Sequence, residues 1–255
     1  MNGTAVGRTE GTVVDFWAPL RRSTQARIGL GRSGDGLPTT ERLALREALA
    51  LARDAITTPL DIPLLRDDLA AVGVPDVHHV TSQAASRDEY VRRPDLGRLP
   101  ADLTGLPRGP YDVGIVVADG LSPRAVVDHG ALMLAALRAA LPEGLSLAPV
   151  VIATNARVAL GDHLGAAMGV ETLFLLIGER PGLSVADSLG IYMTHRPEPG
   201  RADSERNCIS NVHPPEGNSY AAAAATAARL LGTARALGRS GVDVKDIGAD
   251  PALGS

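Results

Sequence analysis

Residues 113–118 read V-G-I-V-V-A, residues 119–122 D-G-L-S, and residues 123–141 P-R-A-V-V-D-H-G-A-L-M-L-A-A-L-R-A-A-L. The first six form a nearly unbroken apolar run rich in β-branched side chains, the pattern of a strand buried on both faces. Ser122 and Pro123 then signal a helix start, since serine caps free N–H groups and proline fits the first turn. Strand, short turn and long helix together make one unit of a parallel α/β sheet.

The unit recurs downstream. Residues 147–153 (L-A-P-V-V-I-A) read as a second strand, 160–168 as its helix, 172–177 (T-L-F-L-L-I) as a third strand and 189–194 as a fourth. Residues 219–237 form an alanine-rich helix in which Ala223, Ala227, Leu230, Ala234 and Leu237 share one face, allowing close packing. This alternation predicts an α/β fold over residues 111–255: a mostly parallel, Rossmann-like sheet covered by helices. Ligands of such sheets bind beyond the carboxyl ends of the strands. Residues 119–122, 155–158 and 178–182 are therefore expected along one rim.

Upstream, residues 92–110 carry four prolines and three glycines, which break regular structure and mark the expected domain boundary. Residues 1–110 read as a smaller, mainly helical region. Within it, residues 39–56 place Leu45, Leu49, Ala52 and Ile56 on one helical face, and residues 63–72 suggest a second helix, ended by Gly73 and Pro75.

Composition excludes several classes of function. The 255 residues are 45% hydrophobic and 21% charged, with a net charge of −4, as in a globular protein of one large or two small domains. Residues 1–110 hold 14 basic and 14 acidic side chains, and the remainder 11 and 15. That balance, with seven aromatics in the whole chain, argues against a nucleic-acid partner. No apolar stretch reaches the ~18–20 residues of a membrane span, and the N-terminal residues lack the apolar core of a signal peptide. A cytoplasmic protein is expected. The single cysteine, Cys208, rules out an internal disulfide. Lys245 is the only lysine, so there is no G-K-[ST] phosphate loop.

Gly29, Gly31 and Gly34 match G-x-G-x-x-G in R-I-G-L-G-R-S-G. The motif binds a dinucleotide when it joins a buried strand to a helix. Here the preceding L-R-R-S-T-Q-A is polar and the following helix starts only at Thr39 or Thr40, so a structural or partner-binding glycine loop is the better reading. Ser184 in G-L-S-V-A offers a hydrolase alternative, but Ala186 stands where a nucleophile elbow needs glycine. The histidines form no i, i+4 pair or tight Cys/His cluster, so no metal site is expected. Glu179 and Arg180, after the third strand in L-I-G-E-R-P-G-L, read equally as solvated strand-end charges or as ligand-reading groups held by the Pro-Gly turn. Cys208, in R-N-C-I-S-N-V-H, would ordinarily be a small buried hydrophobe.

Five blocks, L-R-R-S-T-Q-A-R-I-G-L-G-R-S-G, Y-V-R-R-P-D-L-G-R-L, V-V-A-D-G-L-S-P, L-L-I-G-E-R-P-G-L and R-N-C-I-S-N-V-H, run in order between Leu20 and His213. Together they resemble the small (light) subunit of ethanolamine ammonia-lyase. The resemblance implies an adenosylcobalamin-dependent deamination of ethanolamine to acetaldehyde and ammonia, with the radical chemistry supplied by the cofactor. It further implies a large-subunit partner whose barrel carries the substrate site, with cobalamin at the interface between the chains. The family's cofactor-contacting positions carry over to Val158, Glu179 and Cys208. Asp76-Val77-His78 begins the Asp-x-His-x-x-Gly motif of some cobalamin proteins, but Thr81 replaces the glycine. Relatives that enter bacterial microcompartments have longer N-terminal extensions than the roughly 19 residues before the first block here, which puts encapsulation in doubt.

Overall fold

The computed structural model describes residues 15–246. Its strands are β1 (Val77–Thr81), β2 (Tyr111–Ala118), β3 (Val150–Thr154), β4 (Val170–Gly178), β5 (Leu189–His195) and β6 (Asn207–Val212). Its α-helices are α1 (Ala18–Arg21), α2 (Thr39–Thr57), α3 (Ile62–Ala71), α4 (Arg87–Arg92), α5 (Pro123–Ala140), α6 (Leu160–Met168) and α7 (Tyr220–Leu237). All six strands form one sheet, ordered β1-β3-β2-β4-β5-β6. β1, β3, β2 and β4 run parallel, while β5 pairs antiparallel with β4, and β6 antiparallel with β5. The fold is α/β with a mostly parallel sheet, as the alternation predicts.

The opening run becomes the centre of this sheet. Every residue from Val113 to Ala118 is buried, and the side chains alternate between two cores. Ile115, Val117, Phe174, Leu176, Ile191 and Met193 face α3, α5 and α7; Val116, Ala118, Leu173, Leu175 and Ile177 face α6. Helix ends follow the local chemistry. The side chains of Ser122, Asp61 and Ser219 accept from backbone N–H groups at the starts of α5, α3 and α7. α6 and α7 stop at the left-handed Gly169 and Gly238.

Two strands escape the sequence reading. β1 is V-H-H-V-T and β6 is N-C-I-S-N-V, edge strands whose polar side chains interrupt the apolar pattern. The strand at 189–194 is antiparallel because only a loop, with no crossover helix, joins it to β4. On α7 the alanine face is buried, but Leu237 at its end is 55% exposed. On α2, Ala48 and Ala55 are buried while Leu49 is 53% exposed. Leu45, Ala52 and Ile56 of the anticipated stripe are half-buried beside these alanines, and Leu49 alone of that stripe faces out.

The chain divides into two compact units, Met1–Ala48 and Leu49–Ser255. In the first, Gly29, Gly31 and Gly34 all have positive φ, which glycine adopts without penalty. A Cβ on Gly29 would lie 2.0 Å from the Trp17 side chain. No strand precedes these glycines among the described residues, and α2 begins five positions after Gly34. They close a loop rather than cradle a pyrophosphate. The second unit holds the whole sheet.

Candidate functional site

Three strand ends meet in one depression of about 280 Å3, lined by Gly120 and Leu121 after β2, Arg157 and Val158 after β3, and Gly178, Glu179 and Arg180 at the end of β4. These belong to the rim expected from strand alternation. The chain leaves β2 for α5 on one face of the sheet and leaves β3 for α6 on the other, which opens a crevice between the diverging turns. Tyr90, Ile177 and Tyr192 complete the lining.

Asp119 organises the rim from beneath. Only 1% exposed, its carboxylate accepts from the backbone N–H of Asn155 at 2.7 Å and of Ala156 at 2.9 Å, and from Arg87 Nη1 at 3.1 Å. The two backbone bonds fix the turn that presents Arg157 and Val158, including Asn155 at φ 53°. Arg87 donates in addition to the carbonyls of Gly120 and Ile56, each at 2.7 Å. Burial pushes the Asp119 carboxyl up to about 6, against the pull of Arg87 and the N–H groups. Tyr90 donates to the Ala156 carbonyl at 3.0 Å, and the Arg87 and Arg157 guanidinium carbons each lie 4.7 Å from its ring centroid.

The turns of β2 and β4 touch backbone to backbone. Leu121 N–H donates to the Gly178 carbonyl at 3.0 Å, and a Cβ on Gly178 would stand 2.1 Å from the Ser122 carbonyl oxygen. Ser122 donates to the Ala186 carbonyl at 2.8 Å, which anchors the β4–β5 loop.

Glu179 is half-buried and held. Its Oε2 accepts from Ser188 Oγ at 2.7 Å and from the Asn211 N–H at 3.1 Å. Gly190 on β5 leaves it room, since a Cβ there would lie 3.0 Å from Oε1. Val158, also half-buried, is fixed by its carbonyl, which accepts from Gly161 N–H at 3.0 Å in the first turn of α6.

Cys208 is exposed rather than buried. α6 packs mainly on β2 and β4, and on the same face of edge strand β6 Cys208 and Ser210 are exposed. There Cys208 pairs in register with Tyr192, which itself lines the depression. The structure thus brings Val158 and Glu179 into one depression and sets Cys208 beside it, across Tyr192. Desolvation raises the Cys208 thiol above its ordinary value, opposed by a hydrogen bond with Tyr192 and reinforced by Glu179. Less thiolate at a given pH means slower alkylation. Iodoacetamide is expected to label Cys208 at pH 8 more slowly than free cysteine despite its exposure; an equal rate would contradict a raised pKa.

Ser184 lies in the loop between two antiparallel strands, with no helix after it, so the nucleophile-elbow geometry is missing. The supports of the rim escape the sequence reading. Arg87 and Tyr90 sit on a short helix, Ser188 precedes β5 and Asn211 lies in β6, with nothing in their spacing to link them to Asp119 or Glu179. His78 lies on edge strand β1, away from the lining of the depression.

The family model described as the ethanolamine ammonia-lyase light chain matches residues 14–245. The chain is 57% identical over 243 residues to the ethanolamine ammonia-lyase small subunit of Rhodococcus erythropolis, covering 95% of each chain. It is 47% identical over 239 residues to that of Azotobacter vinelandii, covering 90% of this chain and 88% of the relative. With that of Ralstonia nicotianae, identity is 44% over 250 residues, covering 93% and 90%.

Proposed function

Because the chain belongs to the ethanolamine ammonia-lyase light-chain family, we propose that it is the small subunit of such a lyase and holds adenosylcobalamin against a catalytic large subunit. Ethanolamine is converted there to acetaldehyde and ammonia. The observation that carries this reading is the depression at three strand ends, continuous through Tyr192 with an uncovered sheet face at Cys208.

The residues present fit one side of a corrin. A corrin has a broad apolar face and a fringe of amides. Leu121, Val158, Ile177 and the Tyr192 ring offer apolar contact, and Glu179 offers an acceptor for an amide N–H. A volume of about 280 Å3 falls below the roughly 300–1,000 Å3 that encloses a drug-sized ligand. The depression therefore suits an edge of the cofactor, and a second surface must cover the rest. Exposed Leu183 in the adjoining loop fits such a covering partner.

Bound adenosylcobalamin supplies the radical chemistry. This chain's residues bind, orient and shield. Val158 and Cys208 pack against the ring, Glu179 fixes one amide, and the Asp119 clamp keeps the Val158 turn in place. The chain alone is expected to show no ethanolamine deamination with adenosylcobalamin, and activity should appear on mixing with the large subunit. Deamination by the lone chain would overturn this division of labour.

A further inference from the structure

Arg157 and Arg180 line the same depression as Glu179, and neither guanidinium has a carboxylate partner among the described residues. Several arginines of this unit are matched, Arg87 with Asp119, Arg206 with Asp162 and Asp203, Arg201 with Glu205 and Arg229 with Asp246; Arg157 and Arg180 differ in lining a depression without an ion-pair partner. Arg157 makes no side-chain hydrogen bond among the described residues. Its Nε is buried without a partner, and its favourable contact is the Tyr90 ring. The nearby buried acid, Asp119, is already taken by Arg87 and two backbone N–H groups. Glu179, the one acid in the lining, has Oε2 held by Ser188 and Asn211. The lining thus carries two cations against one committed carboxylate. Covering it with a neutral amide edge alone would desolvate two guanidiniums against a single carboxylate, which is costly, whereas an anionic oxygen would offset the excess positive charge.

Resting on the proposed cofactor role, we infer that Arg157, assisted by Arg180, binds the anionic phosphodiester of the cobalamin nucleotide tail. The turn set by Asp119 and the stack on Tyr90 hold the guanidinium before the cofactor arrives, so little side-chain entropy is lost on binding.

The test uses the reconstituted two-subunit complex and equilibrium dialysis with hydroxocobalamin, which needs no turnover. Arg157→Ala is expected to raise its dissociation constant roughly tenfold or more. Arg157→Lys, a point charge that still suits phosphate, should recover part of the loss. Cobinamide keeps the corrin amides and lacks the phosphodiester; measured by competition, its affinity should be unchanged by Arg157→Ala. Equal hydroxocobalamin affinity in Arg157→Ala and wild type would overturn the inference. So would an equal loss for cobinamide, which would assign Arg157 to a corrin amide. If Arg157→Ala fails to assemble, Arg157→Gln keeps the stem, removes the charge and carries the same expectation. Failure of the wild-type complex to bind hydroxocobalamin would instead sink the cofactor role itself.

Discussion

Asp119→Ala is expected to destabilise the chain by about 3–5 kcal/mol, the loss typical of removing one partner of a buried ion pair. The change would leave Arg87 charged and dry, with side-chain exposure of 7%, and would orphan the N–H groups of Asn155 and Ala156. Chemical denaturation measures it, and a loss below about 1 kcal/mol, the range of an exposed pair, would contradict the clamp. The group's titration adds a pH signature. Burial lifts its folded-state pKa from 3.8 to about 6, so between those values the folded chain holds the extra proton. Its contribution to stability is full below pH 3.8 and is lost as pH rises through about 6. Wild type should therefore gain stability relative to Asp119→Asn between pH 7 and 4. A difference that narrows on acidification would contradict the raised pKa.

Glu179→Gln is expected to weaken cofactor binding in the reconstituted enzyme by roughly one to two orders of magnitude, since a hydrogen bond to a charged group contributes ~1.5–3 kcal/mol. The substitution keeps the size and one acceptor oxygen. Removing the charge weakens what Ser188 and Asn211 hold in place as well as the acceptor offered to an amide. At saturating adenosylcobalamin the maximal rate should fall much less, because the proposed division of labour assigns hydrogen abstraction to the large subunit. Titration of cofactor against activity separates the two effects. Unchanged affinity with the complex intact would remove Glu179 from the site.

Much of this architecture was legible because burial writes itself into periodicity. Residues 113–118 lie in the middle of the sheet, so both faces had to be apolar, and the run is unmistakable. The rim followed from alternation alone, since parallel strands joined by helices must end together. β1 and β6 were not legible. An edge strand with one open face tolerates His78, His79, Cys208 and Asn211, and its pattern merges with that of a loop. Leu49 shows the limit of helical periodicity: Leu45, Ala52 and Ile56 turn partly inward with the buried Ala48 and Ala55, while Leu49, at the edge of that face, is exposed. Val158, Glu179 and Cys208 were named through family resemblance, and only the first two lay on the independently expected rim. Cys208 is three residues short of Asn211, out on a sheet face, where no rule about strand ends points. The Arg87, Tyr90 and Asp119 network was hidden for another reason. It joins residues 32 positions apart through side chains, and sequence spacing carries no trace of such contacts.

The most direct measurement is the structure of this chain bound to its large subunit and cobalamin. The corrin is expected between the two chains, packed on Val158 and Cys208, with an amide nitrogen in hydrogen-bond range of Glu179. Cobalamin enclosed wholly by the large subunit, with the depression at Val158 and Glu179 facing solvent or bare protein, would contradict the cofactor-holding role.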